Sequence, residues 1–259
     1  SQMIKLIPAF FIFILLTKIN YRRLQFLSPY LLFISFLLLV YTRLQGCDGD
    51  SCRWLSIGPI SFQTSDIARF SMILFLASYI DNNYKYMQQF VKGIVIPLLI
   101  ISPIAFMIII QPDNSTTLIL LMIAFTLLFV GGASLIQLAT IGVLSVGTIG
   151  IFILNEKNYA LGRILSFIDP SSSASIGYQS NQASIGLKQG GLTGMGIGES
   201  IQKYSYLPET HTDFIFAIFA EELGLVGTTM LLLLYGLLIY RIFAIGFMAL
   251  NAKRVFQSY

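Results

Sequence analysis

The sequence predicts an all-α, polytopic integral membrane protein, and three observations carry that expectation. The 259 residues are 56% hydrophobic and only 11% charged, and the mean hydropathy is +0.78, far from the roughly 25% charged residues of a soluble domain. The stretch from Asn114 to Asn155 holds no charge at all. Apolar runs separated by short polar segments recur along the chain and suggest about seven transmembrane helices in a single membrane domain, residues 1–259.

In chain order the runs are Ile4–Thr17, Leu27–Thr42, Gln63–Ile80, Gly93–Ile110, Ser115–Gly131, Ala133–Leu154 and Asp213–Tyr240. The first lacks a small-residue cleavage site and runs into Lys18, Arg22 and Arg23, so it reads as a span rather than a signal peptide. Ser1-Gln2 leaves open whether the chain starts inside a longer protein. Gly131-Gly132 divides the uncharged stretch into a helical hairpin. If the spans alternate, Lys18, Arg22, Arg23, Lys85, Lys92, Arg241, Lys253 and Arg254 fall on one side, which should be the cytoplasm. Two polar segments then lie outside: a first loop over 43–62 and a large one over 156–208, too long to be a mere connection.

The net charge of +4 gives no reason to expect a nucleic-acid partner, because basic residues flank spans in any membrane protein. The glycines from Gly190 to Gly198 follow no predicted strand and lack the Lys-Ser/Thr of a P-loop, which argues against a nucleotide cofactor. A single histidine, His211, cannot build a His-rich zinc site. Cys47 and Cys52 stand five apart on the oxidising face and fit a short-loop disulfide or two free thiols. Asp66 and Arg69 lie three apart on one helix face and can form an ion pair that fixes packing or serves a site.

The stretch from Tyr206 to Gly224 places charges, the histidine and a proline where a polar loop re-enters an apolar helix. Asp213 falls in the first turn of that helix, where unpaired N–H groups and the helix dipole favour a carboxylate. Thr210 and Asp213 equally match a capping box. Glu221 and Glu222 follow eight and nine residues later, about 12 to 14 Å along a helix, too far to share its proton.

Tyr206-Leu-Pro-Glu-Thr-His-Thr-Asp213 and the preceding Gln202-Lys203 and Gly194-x-Gly196-x-Gly198 resemble the large loop of the SEDS family (FtsW, RodA, SpoVE). Arg53-Trp-Leu-x-x-Gly58 and Gln111-Pro-Asp113-Asn-Ser-Thr116 are similar to further family motifs, and Gln63-Thr-Ser-Asp66-Ile-Ala-Arg69 keeps the charge pattern of Gln-Pro-Ser-Glu-x-x-Lys. The resemblance implies a peptidoglycan glycosyltransferase that polymerises lipid II by inverting transfer, with Asp213 as the general base. Gln202, Lys203, Glu209, His211 and Arg53 are the implied substrate-binding residues, and a divalent cation, Mg²⁺ or Mn²⁺, is a possible further counter-charge for the pyrophosphate. No metal ligands can be named.

Gln202-Lys203 and Tyr206 look most like the FtsW branch, which would mean septal wall synthesis in the bacterial inner membrane, with the active site on the extracytoplasmic side. The implied partners are a class B penicillin-binding protein and other divisome membrane proteins. An elongation-type polymerase, a lipid II flippase and a non-catalytic division scaffold remain alternatives. The family has about ten spans, whereas this chain offers seven and lacks a late Ser-Tyr-Gly-Gly type motif, so either it is a fragment or part of the family's architecture is absent from it.

Overall fold

The computed structural model describes residues 2–45, 53–57, 60–111, 113–143, 185–186, 188–200, 215–251 and 256. The chain divides into two compact units, residues 1–143 with 245–259, and residues 144–244.

In the first unit α1 (Gln2–Lys18) leads into α2 (Tyr21–Leu44), whose start is capped by the Asn20 side chain accepting from the Arg22 N–H at 3.1 Å. A hairpin of β1 (Trp54–Ile57) and β2 (Ile60–Gln63) follows and runs directly into α3 (Thr64–Asn83). The hairpin falls where the sequence predicts only loop. Its antiparallel register sets Trp54 opposite Gln63 and Leu55 opposite Phe62, and Leu55 is buried. A 3-10 turn (Tyr84–Tyr86) and a π turn (Val91–Val95) lead to α4 (Ile96–Ile110), then to α5 (Asn114–Val130) and a helical segment over 135–143. Gly132, at φ 95°, takes the left-handed conformation that the predicted tight turn before that segment requires.

The packing of α2 on α3 follows from small residues at helical spacing. Ser28, Leu32, Ser35, Leu39 and Thr42 form one buried stripe of α2, and Ala68, Ser71 and Met72 belong to the facing surface of α3. Small side chains let helix backbones approach closely where lipid supplies no hydrophobic drive for association. The two helices run antiparallel. Gln25 Nε2 donates to Asp81 Oδ2 at 2.7 Å near one end, and the Thr42 and Thr64 hydroxyls meet at 3.4 Å near the other. Ile101, Ile104 and Ile108 of α4 and Leu120, Ala124 and Leu128 of α5 complete the core.

Two helices of this unit contain a Ser-Pro pair. Pro29 has no N–H for the Gln25 carbonyl four residues back, and Pro103 has none for Leu99. In each case the preceding serine supplies the missing donor. Ser28 Oγ donates to the Gln25 carbonyl at 2.8 Å, with Ser78 Oγ at 3.4 Å, and Ser102 Oγ donates to the Leu99 carbonyl at 2.9 Å. An apolar cavity of about 400 Å³ opens beside both prolines.

The second unit contains helical residues at 185–186 and 188–189, the glycine-rich segment to Ser200, and α6 (Ile215–Asn251) as far as Ala244. α6 runs on past Tyr240, where the sequence expectation ends it. Arg241 is exposed and is followed by Ile242, Phe243 and Ile245, so the apolar surface continues beyond the charge, and a long arginine can keep its head in water while its stem lies along a helix. Among the described residues three helical stretches are long and apolar enough to cross a membrane: Tyr21–Leu44, Val91–Ile110 and Ile215–Leu250.

Ser28→Ala should destabilise the protein in detergent by about 1 kcal/mol, the net worth of one hydrogen bond. In a Pro29→Ala background, where an N–H returns to the Gln25 carbonyl, the same change should cost much less. Thermal unfolding of the four variants checks this, and equal costs in both backgrounds would refute the pairing of serine with proline.

Candidate functional site

Polar groups in the first unit converge where α2 and α4 end and α3 and α5 begin, the end that the basic-residue pattern assigns to the outside. Gln111 is 1% exposed, and its Nε2 donates to the Leu39 carbonyl and to Thr42 Oγ1, both at 3.0 Å. Thr42 in turn donates to the Leu39 carbonyl at 2.9 Å. One amide side chain thus ties the last turn of α2 to the end of α4.

Asp113 joins three further elements. Its Oδ1 accepts from the Thr116 N–H at 3.1 Å and so caps α5, while its Oδ2 accepts from Gln63 Nε2 at 3.1 Å and holds the junction between β2 and α3. Burial of this carboxylate at 6% exposure is offset by those donors and by its place at a helix N-terminus. Arg53 Nε donates to the Gln111 carbonyl at 3.3 Å, which fixes the start of the hairpin at the same cluster. Arg53, Gln63, Gln111 and Asp113, drawn from three separate sequence motifs, therefore meet. Asp66 and Arg69 pair at 3.0 Å one turn into α3, with side chains 60% and 30% exposed.

In the second unit the glycine segment opens α6. An unbroken helix would bond the Leu225 N–H to the Glu221 carbonyl and the Val226 N–H to the Glu222 carbonyl. At Gly224 (φ 63°, ψ −162°) the helix parts, and residues 191–196 enter the gap. Leu225 and Val226 donate instead to the carbonyls of Gly191 and Leu192 at 2.9 and 3.2 Å, while the carbonyls of Glu221 and Glu222 accept from the Met195 and Gly196 N–H groups at 3.0 and 3.1 Å. Two helical bonds are replaced by four. Every main-chain group that the break releases at these four residues has a partner.

That splice explains the glycines better than any phosphate loop. A Cβ at Gly190 would collide with the Ala220 carbonyl, one at Gly194 with the Glu222 carbonyl, and one at Gly224 with the Gly194 nitrogen. Gly194 at φ 82° also needs the left-handed region. Beyond the splice, Ser200 and Glu221 are both fully buried, and Ser200 Oγ donates to Glu221 Oε2.

Of the residues singled out in the sequence, Asp213, Gln202, Lys203, Glu209, His211, Cys47 and Cys52 lie outside the described residues. Among the described residues no group of three His, Cys, Asp or Glu side chains could hold a metal ion. Sequence reasoning missed the roles of Gln63, Gln111, Ser200 and Glu221. For Gln63 and Gln111 the signal was present, since each is a polar residue at a helix boundary, Gln111 directly before Pro112 and Gln63 directly before the first residue of α3, whereas nothing local links Ser200 to Glu221.

Replacing Asp113 by alanine removes both a cap and the Gln63 partner, and should cost about 2 kcal/mol or more. In a double-mutant cycle with Gln63→Ala, read by unfolding in detergent, the coupling should be about 1 kcal/mol or more; strictly additive losses would show that the two side chains do not hold each other.

Comparison with known proteins places this architecture. The profile of the FtsW/RodA/SpoVE family, described as cell cycle protein, matches residues 1–258. The "Probable peptidoglycan glycosyltransferase FtsW" of Halothiobacillus neapolitanus is 37% identical over 230 residues, 87% of this chain and 55% of that protein. That of Coxiella burnetii is 37% identical over 236 residues, 90% of this chain and 63% of that protein. The chain thus spans little more than half the length of these curated relatives.

A solved structure described as "Structural coordination of polymerization and crosslinking by a peptidoglycan synthase complex" superposes with a TM-score of 0.76 at 27% identity, over 99% of this chain and 72% of that one. The rod shape determining protein RodA of Thermus thermophilus superposes with a TM-score of 0.59 at 27% identity, over 95% of this chain and 64% of that one. Apolar helices and relatives together make this a multi-pass membrane protein. With a match over nearly its whole length, the chain belongs to the FtsW/RodA/SpoVE family.

Proposed function

We propose that the protein carrying this chain is a peptidoglycan glycosyltransferase that polymerises lipid II at the outer face of the bacterial cytoplasmic membrane. The observation that carries the reading is the family match over residues 1–258, together with 37% identity to relatives named as peptidoglycan glycosyltransferases. Their name, FtsW, favours cell division over elongation as the setting, and a class B penicillin-binding protein as the transpeptidase partner fits the polymerising and crosslinking complex whose fold this chain shares.

The chemistry follows from the two linkages. The donor sugar is held to polyprenyl pyrophosphate in the α configuration and the product bond is β, so one inverting displacement suffices. The acceptor hydroxyl oxygen forms the new bond to the anomeric carbon as the bond from that carbon to the pyrophosphate oxygen breaks. The leaving pyrophosphate takes the electron pair, and Asp213 takes the hydroxyl proton as general base. Pyrophosphate needs positive charge more than a proton donor, which is the role of Lys203 and Arg53. Arg53 suits it because its anchor on the Gln111 carbonyl fixes the guanidinium in the outer polar cluster. Gln202, Glu209 and His211 supply further substrate contacts in the same reading.

Asp213→Asn in the intact protein, assayed with lipid II, the partner and divalent cation, should lower glycan synthesis by about 100-fold or more without loss of folding. Synthesis equal to that of the parent would refute the base assignment.

A further inference from the structure

We propose that the connection between α3 and α4 binds the headgroup of an anionic phospholipid, through Lys85 and Lys92 on a platform of exposed aromatic side chains. The inference goes beyond the glycosyltransferase reading and does not depend on it. It starts from charge. Lys18, Arg22, Arg23, Lys85 and Lys92 are all exposed. Because α2 and α3 run antiparallel, with Gln25 bonded to Asp81, the start of α2 and the end of α3 share one end of the pair, and the end of α1 leads into it. Asp81 is the only acid there among the described residues, and its carboxylate already accepts from Gln25 Nε2 at 2.7 Å. None of the five cations forms an ion pair among the described residues. This end therefore carries positive charge that an anionic surface complements.

Lys92 is held in place rather than left to wander. Its Nζ lies 4.1 Å from the centre of the Tyr86 ring, and its main-chain carbonyl accepts from Tyr79 Oη at 2.7 Å. The π turn Val91–Val95 brings the chain so close to the turn before it that a Cβ at Gly93 would collide with the Met87 carbonyl, and Met87 itself is buried in the core. Around that anchor Tyr84, Tyr86, Phe90 and Val91 are exposed. An acidic protein surface has no need of such a set. Aromatic rings beside lysines, at the end of the stretch Val91–Ile110 that is apolar enough to cross a membrane, suit the headgroup level of a bilayer. There the rings lie among the ester groups while the ammonium reaches a phosphate. An ammonium resting on the face of a ring keeps its full charge, and its free side remains open to an anion.

The test takes the full-length protein from nanodiscs holding equal phosphatidylglycerol and phosphatidylcholine into detergent, and counts the lipids it retains by native mass spectrometry. Retention in detergent reads contact, since no leaflet is left to supply a diffuse field. The parent should retain phosphatidylglycerol in preference. Lys85→Gln and Lys92→Gln should each lower that preference about fivefold, the worth of one basic residue at an anionic surface. Tyr86→Leu changes no charge but removes the ring beneath Lys92, and should lower it about twofold or more, whereas Tyr86→Phe should not. Lys18→Gln, at the same end but outside the platform, should have little effect. All these side chains are exposed, so the variants should unfold at the temperature of the parent. A parent without preference would overturn the proposal and favour an acidic protein surface as the occupant. Loss in Lys18→Gln as large as in Lys92→Gln, no change in Tyr86→Leu, or displacement of the lipid by inorganic phosphate would overturn it as well.

Discussion

A backbone amide or carbonyl that loses its partner inside a bilayer has no water to turn to, and each such group costs several kcal/mol. Three departures from regular helix among the described residues conform to that constraint. Pro29 and Pro103 each orphan a carbonyl, and the serine immediately before each proline fills the vacancy. The break at Gly224 orphans two donors and two acceptors together, which hydroxyls alone could not satisfy, and a second stretch of backbone is brought in to match them group for group. Glycine at 190, 194 and 224 is the steric consequence, because main chain must touch main chain there.

The same constraint sorts the polar side chains to the ends of the helices. Gln25 and Asp81 close one end of the α2–α3 pair, and Thr42, Thr64, Gln111 and Asp113 gather at the other. Between them Ser28 and Ser35 of α2 turn their hydroxyls onto the Gln25 and Leu32 carbonyls of their own helix, both at 2.8 Å, and so present little more bulk than alanine to the facing helix. Because the outer cluster ties the hairpin, both long packed helices and the start of α5 through shared donors and acceptors, Arg53 is presented from a braced position rather than from a free loop.

The described helices were legible in the sequence because long apolar runs with almost no charge suit a lipid-spanning helix and little else, while residues 144–154 of the sixth expected span lie outside the described residues. Ends were less so. α6 outruns its expected limit since Arg241 reads as a boundary charge but sits within continuous helix. The hairpin was hidden in a segment whose glycine, proline and cysteines read as loop, although Leu55 and Phe62 pair across it. The glycine cluster was visible as a feature, yet its partner, a helix some 30 residues further on, was not, because such pairing is a tertiary fact with no local period. Glu221 shows the same limit from the other side. Spacing along its own helix is all the sequence offers for this residue, whereas its contact with Ser200 comes from a different part of the chain. Asp213 is read as a base through the resemblance to a family motif, whereas local spacing alone favours a helix cap.

The central claim is that one carboxylate-assisted, inverting displacement builds the glycan. Its most direct test is the anomeric configuration of product made by the whole protein, reconstituted in liposomes with its transpeptidase partner and supplied with radiolabelled lipid II. The account predicts glycan strands that a β-specific muramidase cleaves completely, with no label left on protein after a denaturing quench. Strands resistant to that enzyme, sugar covalently retained on the protein, or lipid II crossing the membrane with no strand formed would contradict it.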